Sequence, residues 1–291
     1  MRVIRYLNGN QAELAAVTDE EQAYRLRDAD LFSLLSRAKR EGVSPEEAIR
    51  RELTADARIE GDWTSLPLLA PVEAPEIWAA GVTYQRSREA RNYEAAGGHA
   101  QAGATFYDKV YDAERPELFF KSTAARTVGP GGEVKLRSDS AWQVPEPELG
   151  LVLSSAGDII GYTIGNDMSC RDIEGENPLY LPQAKLWKQS CSIGPAVRLA
   201  ESTPNPYALD ISLRIYRDGA AAVDVQASTG QLKRKLEELV GFLKRDNILF
   251  DGTVLLTGTC LVPPDDFTLR PNDRIEIRIT QIGMLLNTVS A

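Results

Sequence analysis

The stretch VPEPELGLVLSSAGDIIGYTIGNDMSCRD, Val144–Asp172, decides how the rest of the chain is read. It holds two apolar runs, Val144–Leu153 and Asp158–Gly165, on either side of Ser154–Gly157. Short apolar runs divided by Ser and Gly read as two antiparallel strands joined by a hairpin. Glu146 and Glu148 stand two apart, and strand side chains alternate, so both carboxylates share one face. With Ser155–Asp158 as a four-residue loop, Ser154 pairs with Ile159. In that register Glu146 lies opposite Asp167, and directly opposed residues share a face at close range. A two-residue slip would preserve that face. Three like charges so close repel, and they need protonation, a cation, or bases such as Arg171 and Lys185 to neutralise them. An all-oxygen set suits a hard ion, Mg2+, with Mn2+ or Ca2+ as substitutes. The plainer alternative is solvated charges on an exposed strand.

Composition bounds the chemistry. The 291 residues carry 42 acids against 33 bases, a net charge of -9. A surface of that sign repels phosphate backbones and anionic lipids, so neither nucleic acid nor membrane is expected as a partner. No apolar run reaches the length of a membrane span and residues 1–25 lack a signal-peptide pattern, so a cytoplasmic location is expected. Cys170, Cys191 and Cys260 lie far apart without a C-x-x-C and read as reduced thiols. The single histidine, His99, excludes a multi-histidine metal site within one chain. It sits in a stretch rich in Gly and Ala, residues 95–104, that reads as a loop and is a candidate lid.

Along the chain, residues 3–7 and 22–26 read as strands. Asp30–Glu41 reads as a helix, and Ser44-Pro45-Glu46-Glu47 starts another. The proline-rich Leu66–Pro75 reads as a linker, dividing a small N-terminal α/β domain, 1–70, from a larger domain, 71–291. That larger part reads mostly β: Glu76–Val82, Glu117–Lys121, and a hairpin of Leu209–Tyr216 and Ala222–Ala227 about Asp218-Gly219. Leu232, Leu236, Leu239, Val240 and Leu243 share one face of a helix capped by Ser228 or Thr229. Gly129–Gly132 lacks the Lys-Ser/Thr of a phosphate loop and reads as a turn. No glycine pattern for a nucleotide follows a strand.

The Glu-Pro-Glu pair, the run Gly161–Asp172, Ala184-Lys185 before Cys191–Pro195, Thr257–Thr259 and the closing Arg270–Gly283 together resemble the fumarylacetoacetate hydrolase superfamily. The resemblance runs in order from about Ile77 to Val289. It implies a mixed α+β, mostly β fold, with a strongly rolled β-sheet catalytic domain, a small N-terminal cap, and a homodimer or homotetramer. It also implies Mg2+ or Mn2+ on two glutamates and an aspartate, here Glu146, Glu148 and Asp167. Gly81–Arg91, Phe106–Tyr111 and Arg115–Ser122 look most like the members that act as 2-keto-3-deoxy-D-arabinonate dehydratases. The hydrolase branch places a histidine where this chain has Ser87, and a hydrolase without it lacks its usual base.

The resemblance therefore implies a metal-dependent hydro-lyase for a 2-keto-3-deoxy sugar acid of pentonate type, passing through a metal-stabilised enolate. The small-molecule partner is a 2-oxo acid. Lys185 resembles the family lysine beside the metal and is the candidate base. Glu117 is the candidate acid for the departing C4 hydroxyl, and Arg86, Lys121, Arg171 and Thr259 are candidate substrate contacts. A C–C hydrolase, isomerase or decarboxylase of acylpyruvates or diketo acids is the alternative within the superfamily. A non-catalytic protein with a structural metal is the alternative outside it.

Overall fold

The computed structural model describes residues 1–95 and 106–291. His99 and the expected lid around it lie outside the described residues. The deciding stretch forms a hairpin of Pro147–Leu153 and Ile159–Asp167. Pro147 pairs with Asn166, and the ladder continues to Val152 opposite Gly161. Asp167 N donates to Glu146 O at 3.0 Å, so Glu146 opposes Asp167 in the predicted register. The turn differs from expectation: Leu153, not Ser154, pairs with Ile159, and a bulge beside Val152 restores the offset. Ser154 is drawn into the turn instead. Its N–H donates to Asp158 O at 2.9 Å, its carbonyl accepts from Gly157 N at 2.9 Å, and its hydroxyl accepts from Asp158 N at 3.0 Å.

This hairpin lies inside a 12-stranded mixed sheet. Cys191–Leu199 flanks it on one side and Thr253–Thr259 on the other, both antiparallel. Beyond Thr253–Thr259 come Ile77–Gly81, parallel, and Glu117–Ser122, antiparallel. Beyond Cys191–Leu199 comes Arg2–Asn8, which brings Gln11–Val17 and Ala23–Arg25 into the same sheet. The proline-rich segment contributes Leu68–Leu69, paired with Arg2–Asn8. A second sheet runs in the order Ala220–Ser228, Asp210–Arg217, Arg274–Ile279, Gly283–Ser290 and Glu133–Lys135. Its first hairpin turns through Asp218 at φ 52° and Gly219 at φ 82°, the paired positive φ of a type I′ turn. The result is mostly β with mixed sheets, the expected fold class.

The central strands are buried on both faces, which is why they read as near-continuous apolar runs. Leu149, Leu151, Ile164 and Leu255 pack against Leu213, Ile215, Ile275 and Ile277 of the second sheet and against Leu239. The alternate residues Val152, Val254 and Leu256 pack against Leu14, Leu31, Leu34 and Ile49 from the N-terminal part. The C-terminal helix is shorter than the periodicity predicts. It spans Leu236–Leu243, while Ser228 caps a separate 3-10 turn, Thr229–Gln231. Tertiary contacts hold the intervening residues out of the helix: Lys233 N donates to Thr83 O at 3.0 Å, and Arg234 donates to Glu114 O at 2.8 Å.

Candidate metal and active centre

Strand alternation puts Glu148 on the face of Val152, and Asp167 reaches the same spot from the partner strand. One carboxylate oxygen from each of Glu146, Glu148 and Asp167 lies within 4.8 Å of the other two, and all three residues are buried. Glu148 pairs with Gly165 on one side and Thr259 on the other, so the cluster sits where three strands meet. Glycines make the room. A Cβ on Gly165 would come 2.3 Å from Leu256 Cδ2. Gly258, at φ +92°, donates its N–H to Glu148 Oε2 at 2.6 Å, and a Cβ there would come 2.0 Å from Thr83 Oγ1.

Burying an uncompensated carboxylate costs several kcal/mol or drives protonation. Here cations compensate some acids and not others. Lys185 Nζ, fully buried, lies 2.5 Å from Glu146 Oε2, 2.6 Å from Ser169 Oγ, and 3.2 Å from both Asp167 Oδ2 and Glu174 Oε1. Burial alone would lower its pKa, but Asp167, Glu146 and Glu174 together raise it. Arg171 donates to Glu146 Oε1 at 2.8 Å, and burial pulls its pKa down to about 10. Lys121 Nζ touches Asp167 Oδ1 at 2.6 Å but off the hydrogen-bond angle, and it donates to Met168 O at 2.8 Å. The alternative partners Arg171 and Lys185 thus do pair with Glu146.

Glu148 has no side-chain cation among the described residues. Burial first, then Asp167 and Glu146, push its carboxyl well above the usual range, with Lys185 and Gly258 N–H opposing. Glu146 is also pushed up, because burial and the charges of Glu174 and Asp167 outweigh Lys185. The hydroxyl of Tyr84 is buried without a hydrogen-bond partner among the described residues, and burial, Cys260 and Glu148 raise its pKa well above its ordinary value. Three converging oxygens, one of them unneutralised, are the donor set a hard divalent cation requires.

The other residues put forward from the sequence are placed as follows. Thr259 and Ser87 line the small cavity of the three carboxylates, with Phe119 and Lys185. Thr259 Oγ1 donates to Leu261 O at 2.9 Å. Glu117 is half-buried one cavity away, and its Oε2 has no hydrogen-bond partner among the described residues. Arg86 lies on the solvent side of helix Gln85–Ala95, paired with Glu89 at 3.7 Å and outside both cavities. Sequence reasoning passed over Arg91 and Glu174, both buried and 3.3 Å apart. Arg91 follows Ser87 by four residues and Glu174 follows Arg171 by three, so each shares a helix face with a residue already named.

Residues 87–290 match the family described as fumarylacetoacetate (FAA) hydrolase C-terminal. A probable 2-keto-3-deoxyxylonate dehydratase of Haloferax volcanii is 46% identical over 266 residues, 90% of this chain and 90% of that one. The 2-dehydro-3-deoxy-D-arabinonate dehydratase of Saccharolobus solfataricus is 47% identical over 219 residues, 75% of this chain and 73% of that one. Among solved structures, a 2-keto-3-deoxy-D-arabinonate dehydratase complexed with magnesium and 2,5-dioxopentanoate superposes with a TM-score of 0.84 at 37% identity. It covers 100% of this chain and 99% of its own.

Proposed function

The chain belongs to the fumarylacetoacetate hydrolase family, and on that footing we propose that it is a magnesium-dependent hydro-lyase converting a 2-keto-3-deoxy pentonate to 2,5-dioxopentanoate. The observation that carries this reading is Ser87, buried in the same small cavity as Glu146, Glu148 and Asp167. A neutral hydroxyl there cannot activate water as a base, which weighs against C–C hydrolysis and for elimination. The two dehydratase relatives and the magnesium complex support it.

Glu146, Glu148 and Asp167 would hold the ion, which when bound supplies Lewis-acid polarisation of the 2-keto oxygen and makes the C3 protons acidic. Lys185 would take a C3 proton. Glu146, Asp167 and Glu174 hold its ammonium in place; a divalent charge bound beside it, added to burial, would favour the neutral amine a base must be. Glu117, with a buried carboxylate oxygen that has no hydrogen-bond partner among the described residues, would protonate the departing C4 hydroxyl; the 5-hydroxy-2-oxo-3-enoate so formed would then lose a C5 proton, gain one at C3, and pass from enol to aldehyde to give 2,5-dioxopentanoate. Arg86, Lys121, Arg171 and Thr259 would contact the substrate; of these, Thr259 lines the cavity of the three acids. A homodimer or homotetramer in the cytoplasm completes the proposal. No helix among the described residues is long and apolar enough to cross a membrane.

A turnover screen with Mg2+ tests the reaction class. Aldehyde release from 2-keto-3-deoxy pentonates, with no cleavage of acylpyruvates, is expected. Acylpyruvate cleavage without any pentonate turnover would overturn the assignment.

A further inference from the structure

Lys185 is held at both ends. It closes a short helix, Leu181–Lys185, and its carbonyl accepts from Lys121 Nζ and from Ser190 Oγ, the latter at 3.2 Å. Its Nζ makes aligned hydrogen bonds to Glu146 Oε2 at 2.5 Å, Ser169 Oγ at 2.6 Å and Asp167 Oδ2 at 3.2 Å. An ammonium has three donors, so these acceptors take up all of them. Glu174 Oε1, also 3.2 Å away, lies off the hydrogen-bond angle and contributes charge.

The three acceptors differ in kind. Glu146 and Asp167 are two of the acids given above to the ion, and a divalent charge competes with the lysine for their oxygens. Ser169 Oγ is neutral and outside that set. It is fully buried, two residues beyond Asp167, and its backbone is fixed by pairing with Val144. Its own proton is donated to Asp167 O at 3.0 Å, so toward Lys185 the hydroxyl can only accept. Lys185, Glu146 and Asp167 line the small cavity, while Ser169 lies behind them, outside that lining. The N–H on Ser169 therefore points away from the cavity, and the other two positions on Nζ face it.

We propose that Ser169 is a positioning residue for the reaction: by holding one N–H of Lys185 from behind, it aims the position on Nζ that takes up the C3 proton. The inference rests on the reading of Lys185 as base and adds the group that orients it. Proton transfer needs the reacting atoms aligned at close range, and a misplacement of about 1 Å costs on the order of 100-fold in rate. The magnesium-loaded protein tests the proposal with two readouts. One is exchange of the C3 protons of pyruvate with solvent deuterium; the other is magnesium affinity by calorimetry.

Ser169→Ala removes the acceptor. Its kcat for exchange is expected to fall by about 100-fold, with KM for pyruvate and magnesium affinity within about threefold of wild type. Ser169→Cys, close in size but a weak acceptor, is expected to lie between the two and decides the matter if Ser169→Ala does not fold. Exchange at the wild-type rate in the folded variant would overturn the proposal. So would a loss of magnesium affinity in step with exchange, since Ser169 would then act only by holding the Asp167 backbone. Wild-type protein that exchanges pyruvate but dehydrates no pentonate fails the reaction class, and Ser169 is still judged by the exchange rates. If pyruvate is not exchanged, kcat for the pentonate takes its place as the probe. A protein that does neither, or a Lys185→Met variant as fast as wild type, leaves no base to aim and overturns the proposal.

Discussion

Glu148 is the residue on which the site turns. It is buried, receives one backbone N–H, and has no cation of its own among the described residues. Glu148→Gln keeps the shape and removes the charge, so activity with magnesium should fall by about three orders of magnitude or more while the fold persists; near-normal activity would remove Glu148 from the ion's ligands. The metal-free protein adds a pH test. The unfolded chain releases this proton near the ordinary pKa of about 4.3, whereas the folded site holds it to higher pH. Between those limits the folded state binds more protons, so stability falls as pH rises. Melting curves of metal-free wild type should therefore decline more steeply above pH ~4 than those of Glu148→Gln, and parallel curves would contradict the burial argument. Lys185→Met should retain magnesium and lose exchange of the substrate's C3 protons with deuterium; exchange at the wild-type rate would exclude Lys185 as base.

At the scale of elements, the hairpin was legible because its two signals are local. Alternation fixed the face of Glu146 and Glu148, and the apolar runs fixed the opposition of Glu146 and Asp167. The turn was misjudged by one residue, since Ser154 bonds to Asp158 rather than joining the ladder, and the bulge that compensates has no sequence signature of its own. Glu174 was not legible for a different reason. Its helix, Arg171–Glu176, is short and charged and reads as a solvated turn until Lys185 and Arg91 are seen to bury it. The same holds for Arg91, whose helix is mostly polar, with only Ala90, Tyr93 and Ala95 to orient it. Gly258 ties the end of strand Thr253–Thr259 to the site. Gly258→Ala would strain a left-handed residue and drive a Cβ into Thr83, costing about 1–3 kcal/mol. Calorimetry should show both a lower melting temperature and weaker magnesium binding, because the N–H that steadies Glu148 moves; unchanged magnesium affinity would separate Gly258 from the site.

At the scale of the molecule, the two sheets and the N-terminal layer bury the central hairpin on both faces, and that burial gives its carboxylates their chemistry. The same acids on an exposed strand would be hydrated, ordinary in pKa and weak in their hold on a cation. The net charge of -9 is not concentrated in the site, which gathers Lys121, Lys185, Arg91 and Arg171 around its four buried acids. A divalent ion then leaves the centre net positive, the sign that suits an anionic 2-oxo acid and an enolate. The most direct test strips the protein with chelator and follows aldehyde release from a 2-keto-3-deoxy pentonate as magnesium is titrated back. No release from the chelated protein, with activity returning in proportion to about one ion bound per chain, is the expected result; full turnover in the metal-free sample would contradict it.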